Sequence, residues 1–241
     1  NPPQPSTRQP VFNLPVVVSG LIALLIAIEA GRDYLLDVTG NVDLIVTFAF
    51  VPFRETTSQA LIDVPWIDAG ARVWTFVTYA FLHGGWAHVL MNSLWLAAFG
   101  TPVARRFGAV RFLLYSGIGA VAGAALHLAI YPHDQVPLVG ASAAISAMMA
   151  GACRFAFQPA GPMWALGVDR YRTPASSFRE MLRDRRVLSF IGIWFVVNLA
   201  FGLTGGGGLS SSAIAWEAHI GGFVAGLLLF GTFDPVSRRS V

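Results

Sequence analysis

The sequence has few charged residues and no lysine. Only 12% of its 241 residues are charged, about half the fraction of a typical soluble domain. Hydrophobic residues make up 55% of the chain, and the mean hydropathy is +0.61. This composition favours a membrane protein. The net charge of +3 is spread over the loops, which argues against binding to nucleic acid and bears instead on membrane topology.

Cysteine is almost absent, and no internal repeat is visible. Cys153 is the only cysteine. An internal disulfide and a metal site built from several cysteines are therefore excluded. Without a repeat or a second region of different composition, the sequence predicts a single membrane domain.

Six long apolar segments are present instead. Each is close to the ~17–25 residues that a helix needs to span a bilayer, although the first also resembles a signal peptide. The loop 31–85 is too long for a simple connector, and parts of it fit the membrane interface. We expect a flexible segment at 1–13, a six-helix membrane domain at 14–233 and a short cytoplasmic tail at 234–241. The six segments are 14–30, 86–103, 110–131, 141–157, 187–204 and 216–233.

Arginine is concentrated in alternate loops between these segments. Three arginines lie near the junction of the second and third segments, seven lie between or flank the fourth and fifth, and two follow the sixth. The loops "PHDQVP" and "TGGGGLSSSAIAWE" contain none. The positive-inside rule then places both termini in the cytoplasm. We expect a multi-pass protein of the bacterial inner membrane. Its functional site, derived below, is expected to open to the outer face.

Ser142 begins the fourth segment at a depth where an unpaired polar group is costly. It lies twelve residues before Arg154, which is expected at the cytoplasmic surface. Twelve helical residues span ~18 Å of a hydrocarbon core ~30 Å thick, so Ser142 would lie ~12 Å below the outer surface. The preceding loop must then dip inward, and Gly140 permits the turn. Ser142 is a candidate nucleophile, although helix caps and small packing residues show the same pattern.

His219 lies about one turn into the sixth segment, again on the outer side. A histidine in a membrane helix is a functional hypothesis by default, and an interhelical hydrogen bond is the alternative. Gly222 and Gly226 form a GxxxG pair that lets helices approach closely. Such packing can bring His219 to Ser142, and a nucleophile with a base is the minimum for serine catalysis.

The stretch "FLHGGWAHVLMNSLW" adds a third polar cluster at the outer start of the second segment. His88 and Asn92 are four residues apart and share a helix face. Both can donate hydrogen bonds to an oxyanion. His83, five residues before His88, is a secondary polar candidate. A polar packing node is the alternative for this cluster.

Two other functions also use polar residues inside a membrane. A proton or ion path is disfavoured because no chain of acidic residues or histidines continues towards the cytoplasm. His127 and His133 are predicted to be interface and loop residues. A metal site is disfavoured because Glu217 is the one clear carboxylate at this depth.

These motifs, in this order, resemble those of the rhomboid family of intramembrane serine proteases. The resemblance runs from about residue 14 to 233 and implies an all-α, six-transmembrane-helix bundle with a long first outer loop. Gly140, Gly222 and Gly226 would serve helix packing near the site. "HGGWAHVLMN" is similar to the family's H-x-x-x-N at His88 and Asn92, "GAS" to its G-x-S-G at Gly140 and Ser142, and "AHIGGFVAG" to its A-H-x-x-G-x-x-x-G at His219, Gly222 and Gly226.

The resemblance also implies a mechanism and a class of substrate. Ser142 would attack the scissile carbonyl and His219 would take its proton, as a dyad without a third acidic residue. His88, Asn92 and the Ser142 backbone N–H would stabilise the oxyanion. The expected substrates are single-pass membrane proteins, cut at or near the membrane border of the lipid bilayer. No metal and no cofactor would be used.

The sequence departs from the family pattern in four respects. Ala143 replaces the glycine after the nucleophile, and Ser146 stands where some members carry an aromatic residue. Ala104 stands where a glutamate is often found. The Trp-Arg pair of the first outer loop is replaced by Arg72 and Trp74 in the opposite order. These departures concern the anchoring of the loop and of His219 more than the chemistry.

Two alternatives to a protease follow from the same residues. A rhomboid-like protein without activity would bind membrane clients, but such a protein usually lacks the serine or the histidine. A transporter is disfavoured because no inverted repeat is visible.

Overall fold

The computed structural model describes residues 14–57, 70–164, 168–204 and 215–236, and those residues are helical apart from turns and loops. Their β-type pairing is confined to an isolated antiparallel bridge between Phe50 and Leu138. The predicted segment 1–13, and the tail beyond residue 236, lie outside the described residues. The helices are α1 (Val16–Tyr34), α2 (Val38–Phe48), α3 (Pro52–Thr56), α4 (Ala71–Thr78), α5 (Trp86–Trp95), α6 (Thr101–Phe107), α7 (Ala109–Ile130), α8 (Ser142–Cys153), α9 (Phe178–Met181), α10 (Arg185–Thr204) and α11 (Trp216–Phe233).

All six predicted apolar segments overlap helices, so the expected all-helical class is confirmed. The third segment coincides with α7 and the sixth with α11, and these two helices are long and apolar enough to cross a membrane. The fourth segment is helical only as far as Cys153 and continues in turns. How many of the helices span the bilayer stays a prediction.

The helix α8 is the centre of the bundle. Eleven of its twelve residues are buried, and α7 and α11 pack against it through glycines. The Cβ that a larger residue would carry at Gly123 or Gly222 would overlap Ala143, and one at Gly226 would lie 2.5 Å from the Cα of Ala147. These contacts require glycine and set the register between α8 and its two neighbours.

The second apolar segment bends at its middle. It runs through α5, a π-helical turn over Leu96–Gly100, and α6. Pro102 lacks an N–H, so the carbonyl of Ala98 cannot receive the usual helical hydrogen bond. The π turn accommodates this loss, and Gly100 lies close to the Met148 sulfur of α8.

In the described parts of the loop 31–85, which the sequence predicts as the first outer loop, residues other than a Trp-Arg pair provide the anchoring. The buried Arg54 side chain donates to the carbonyls of Val46 and Ala49 at 2.7 and 2.5 Å. The Trp74 indole donates to the Thr47 carbonyl at 3.1 Å. Helices α2 to α4 are therefore held together although the family's pair is missing.

A second group of hydrogen bonds joins the helices at the opposite end of the bundle. The Arg106 guanidinium binds both carboxylate oxygens of Asp234 at 2.8 Å and donates to the carbonyls of Tyr171 and Thr173. This network joins the ends of α6 and α11 near Ala104. Between the fourth and fifth apolar segments, the single-turn helix α9 is capped by Ser177.

Candidate active site

The loop before Ser142 is held in position by the first outer loop. The bridge between Phe50 and Leu138 fixes one part of it, and the Gly140 N–H donates to the Tyr79 carbonyl at 3.0 Å. Gly140 has a φ of +123°, a conformation that favours glycine. A Cβ there would lie 2.8 Å from the Cε1 and Nε2 atoms of His88. Glycine is thus required both for the turn and for the close approach of His88.

Ser142 is the first residue of α8 and is half-buried. The cap position belongs to Ala141, and no described side chain caps this helix. The alternative that Ser142 is a capping serine is therefore wrong. The first backbone bond runs from the Ile145 N–H to the Ala141 carbonyl at 3.0 Å. The N–H groups of residues 142–144 precede it and lack intrahelical acceptors, as at any helix N-terminus, where an anion is favoured.

His88 and Asn92 direct polar atoms towards this helix end. The Gly84 N–H donates to His88 Nδ1 at 3.2 Å, so the neutral ring carries its proton on Nε2, the atom that faces Gly140. The Asn92 amide lies 3.6 Å from the position of a Gly140 Cβ. Asn92 is only 4% exposed, and its Nδ2 has no hydrogen-bond partner among the described residues. Two donors are thus available beside Gly140.

His83 lies next to His88. It is buried, and the two imidazole rings are 5.0 Å apart and nearly perpendicular. The His83 backbone carbonyl accepts a hydrogen bond from Arg32 at 2.5 Å. The structure therefore places His83 as a support for the His88 ring.

The first turns of α8 and α11 lie at the same level. Gly123 of α7 is so close to both helices that a Cβ there would meet the Ala143 side chain and the Ala218 carbonyl. Ser142 precedes Ala143, and His219 follows Ala218. The predicted nucleophile and base thus belong to neighbouring turns. Ser146 is engaged elsewhere, because its hydroxyl donates to the Ser142 carbonyl at 2.8 Å.

His219 has a partner that the sequence reasoning missed. Its Nδ1 atom contacts the Oδ1 atom of Asn198 on α10. A single asparagine within the apolar run 190–203 is the signal that was available, since polar residues in such segments tend to be functional.

His127, which the sequence predicts to be an interface residue, packs inside the described bundle. His127 is 5% exposed, and its Nδ1 lies 2.5 Å from a carboxylate oxygen of the buried Glu217. Its Nε2 lies 3.9 Å from Asp134. The pair joins α7 to the turn of α11 that carries His219. Within the described ranges no group of three or more histidine, cysteine or acidic residues is arranged to hold a metal ion.

The described residues form an α-helical bundle with polar side chains gathered inside it, and comparisons with known proteins give its class. A model of the rhomboid domain matches residues 70–233. The rhomboid protease GluP of Bacillus subtilis (strain 168) is 30% identical over 84% of this chain. RHOMBOID-like protein 6, mitochondrial, of Arabidopsis thaliana is 27% identical over 92%, and the rhomboid protease GlpG of Yersinia pestis (strain Pestoides F) is 25% identical over 70%.

The chain belongs to the rhomboid family, and the resemblance drawn from its motifs is confirmed. Membership indicates an integral membrane protein and, at the level of the family, a hydrolase role. The matched region covers 32% of GluP, 69% of the Arabidopsis protein and 51% of GlpG.

Proposed function

We propose that the chain is an intramembrane serine endopeptidase that hydrolyses peptide bonds in or near the transmembrane segments of membrane proteins. One observation supports this most: His88 and Asn92 direct donors at Gly140, two residues before Ser142. The packing of α8 on α11 brings the His219 turn to the same level. Nucleophile, base and oxyanion donors are the parts that acyl transfer needs.

The reaction would proceed through an acyl-enzyme. Ser142 Oγ attacks the scissile carbonyl carbon while His219 takes the hydroxyl proton, and the carbonyl oxygen becomes an oxyanion. His88 Nε2–H, the Asn92 amide and the Ser142 N–H donate to that oxygen. His219 then gives its proton to the leaving amine as the C–N bond breaks. Water, deprotonated by His219, hydrolyses the ester and restores Ser142.

The location of the site sets further requirements. We infer a bundle of six transmembrane helices with cytoplasmic termini, so that Ser142 lies in the outer half of the membrane. Hydrolysis there needs a polar cavity open to the outside, lined by His88, Asn92, Ser142 and His219. A substrate helix must enter sideways and unwind locally, because its peptide bonds are shielded by its own backbone hydrogen bonds.

The nucleophile can be tested directly. Purified protein in detergent should react covalently with a fluorophosphonate serine probe and should cleave at least one of a panel of tagged single-span proteins. Ser142→Ala should abolish both activities with little change in thermal stability, because one hydroxyl contributes only ~1 kcal/mol. Ser146→Ala is the matched control, one turn away on α8, and should still be labelled.

Three results would count against the proposal. Cleavage by Ser142→Ala contradicts the mechanism. Labelling of Ser146 in place of Ser142 contradicts the assignment. If the wild-type protein binds the tagged proteins but is neither labelled nor able to cleave them, the chain is instead an inactive rhomboid-like protein that binds membrane clients.

A further inference from the structure

Helices α10 and α11 meet in two successive contacts near the candidate base. Trp194 of α10 stacks on Phe223 of α11 with ring centroids 4.7 Å apart. One turn along each helix, Asn198 Oδ1 contacts His219 Nδ1. Because both contacts are four residues apart on each helix, they lie on one face of each. The aromatic pair thus seats α10 so that its amide meets the imidazole.

The orientation of the Asn198 amide follows from its second partner. Asn198 Nδ2 donates to the backbone carbonyl of Trp194 at 2.8 Å, and a carbonyl oxygen only accepts. The amide oxygen therefore faces His219, and the donor in that contact must be His219 Nδ1. This assigns the proton to Nδ1 and leaves the lone pair on Nε2.

We propose that Asn198 is a positioning residue, which holds His219 in the Nδ1–H tautomer so that Nε2 can accept the Ser142 proton. This inference rests on the proposed function, because it takes His219 as the base. It adds a third member to the dyad that the sequence implies. A neutral amide fixes the tautomer and the ring orientation without adding the negative charge that an aspartate supplies in a serine triad.

The location of Asn198 on α10 has a further consequence for catalysis. The full catalytic rate requires α10 to be packed on α11, because displacement of α10 removes the acceptor from His219. A movement of α10 that admits substrate would therefore have to be reversed before His219 can act.

The test compares three variants across pH. Asn198→Leu removes the acceptor at similar volume, and kcat should fall by ~10–10²-fold at unchanged KM, the scale of a misplaced catalytic group. Asn198→Asp restores an acceptor, but its carboxylate stabilises the imidazolium, so the acid limb of the rate profile should move up by ~1 pH unit. Val197→Ala, at the neighbouring exposed residue, should behave as wild type.

A readout that does not need activity separates this inference from the proposed function. The ¹⁵N NMR spectrum of labelled histidine distinguishes the tautomers, and wild-type His219 should be protonated on Nδ1 near neutral pH. Asn198→Leu should give a mixture. An Nε2–H tautomer in the wild type, or wild-type kcat in Asn198→Leu, overturns the positioning role. A wild type that neither cleaves nor reacts with the probe overturns the proposed function instead.

Discussion

Several polar side chains around Ser142 take their orientation from a defined neighbour. The Gly84 N–H selects the tautomer of His88, and the Trp194 carbonyl orients the Asn198 amide that contacts His219. Burial makes such pairing necessary, because an unpaired polar group in an apolar interior costs ~1–3 kcal/mol. The Asn92 Nδ2 atom is one exception, since no described residue accepts its hydrogen bond. An available donor beside the nucleophile fits a group that acts on the transition state.

The oxyanion donors give a prediction at the scale of single residues. His88→Ala and Asn92→Ala should each lower kcat by ~10²–10³-fold, the usual cost of one preorganised donor. KM should change less, because the donors bind the charged oxygen more strongly than the ground-state carbonyl. Steady-state cleavage of a tagged single-span substrate measures both constants.

Ser93→Ala is the control for this pair. Ser93 is buried next to Asn92 on α5, so its loss reports on packing alone and should leave kcat near the wild-type value. If either donor variant alters only KM, that residue binds substrate and does not stabilise the transition state.

Residues that form spaced motifs could be chosen from the sequence, and their roles stay predictions. Ser142, His219, His88 and Asn92 were chosen from spacing and predicted depth, and the structure brings their helices together. Asn198 was missed because it has no partner at a helical spacing, so its role depends on a helix packed from elsewhere in the chain.

At the scale of helices, glycines decide how closely α8 and α11 pack. Gly222 has the Ala143 backbone directly against it, whereas Gly231, two and a half turns later on α11, has no other atom within 4 Å of its Cβ position. The same residue type therefore serves a close contact at one end of this helix and not at the other.

This difference gives a paired prediction. Gly222→Ala should separate α11 from α8, move His219 away from Ser142, and destabilise the protein by ~1–3 kcal/mol, as overpacking usually does. Gly231→Ala should leave cleavage unchanged and stability equal or slightly higher, because alanine favours helix. Thermal unfolding in detergent and cleavage assays measure the two effects. Equal behaviour of the two variants would contradict the packing role of Gly222.

The helices differ in how clearly the sequence predicts them. The long ones follow from apolar runs, and their observed ends fall within a few residues of those expected. Helices α2, α3 and α4 were not predicted as helices because they have only 11, 5 and 8 residues. Their positions depend on tertiary hydrogen bonds such as those of Arg54.

For the molecule as a whole, the two ends of α10 differ in how closely they pack against the bundle. This difference bears on how a substrate reaches Ser142. Phe190 of α10 touches Phe99, just after α5, with ring centroids 5.7 Å apart. Towards the other end of α10, Ile193, Val196 and Val197 are exposed. The connector 204–214, which we expect to move with this end, lies outside the described residues except for Thr204. We predict that α10 moves away from α5 to admit a substrate helix.

Cross-linking these two helices tests the predicted gate. From the Phe99–Phe190 contact, Met91 and Val197 each lie ~11–12 Å along their helices, and both are about half exposed (50% and 45%). Met91 is a better cross-linking position than Trp86, the first residue of α5, because the Trp86 indole donates a hydrogen bond to Asp33 of α1. Met91→Cys and Val197→Cys in a Cys153→Ala background, joined by a short bismaleimide, should stop cleavage of a transmembrane substrate. A soluble unfolded peptide should still be cut, since it reaches the cavity from the aqueous side.

Each single-cysteine variant treated with the same reagent controls for modification alone. Undiminished cleavage of the transmembrane substrate after complete cross-linking would show that substrates enter elsewhere, whereas loss of both activities would show that the link distorts the Asn198–His219 contact and not only the gate.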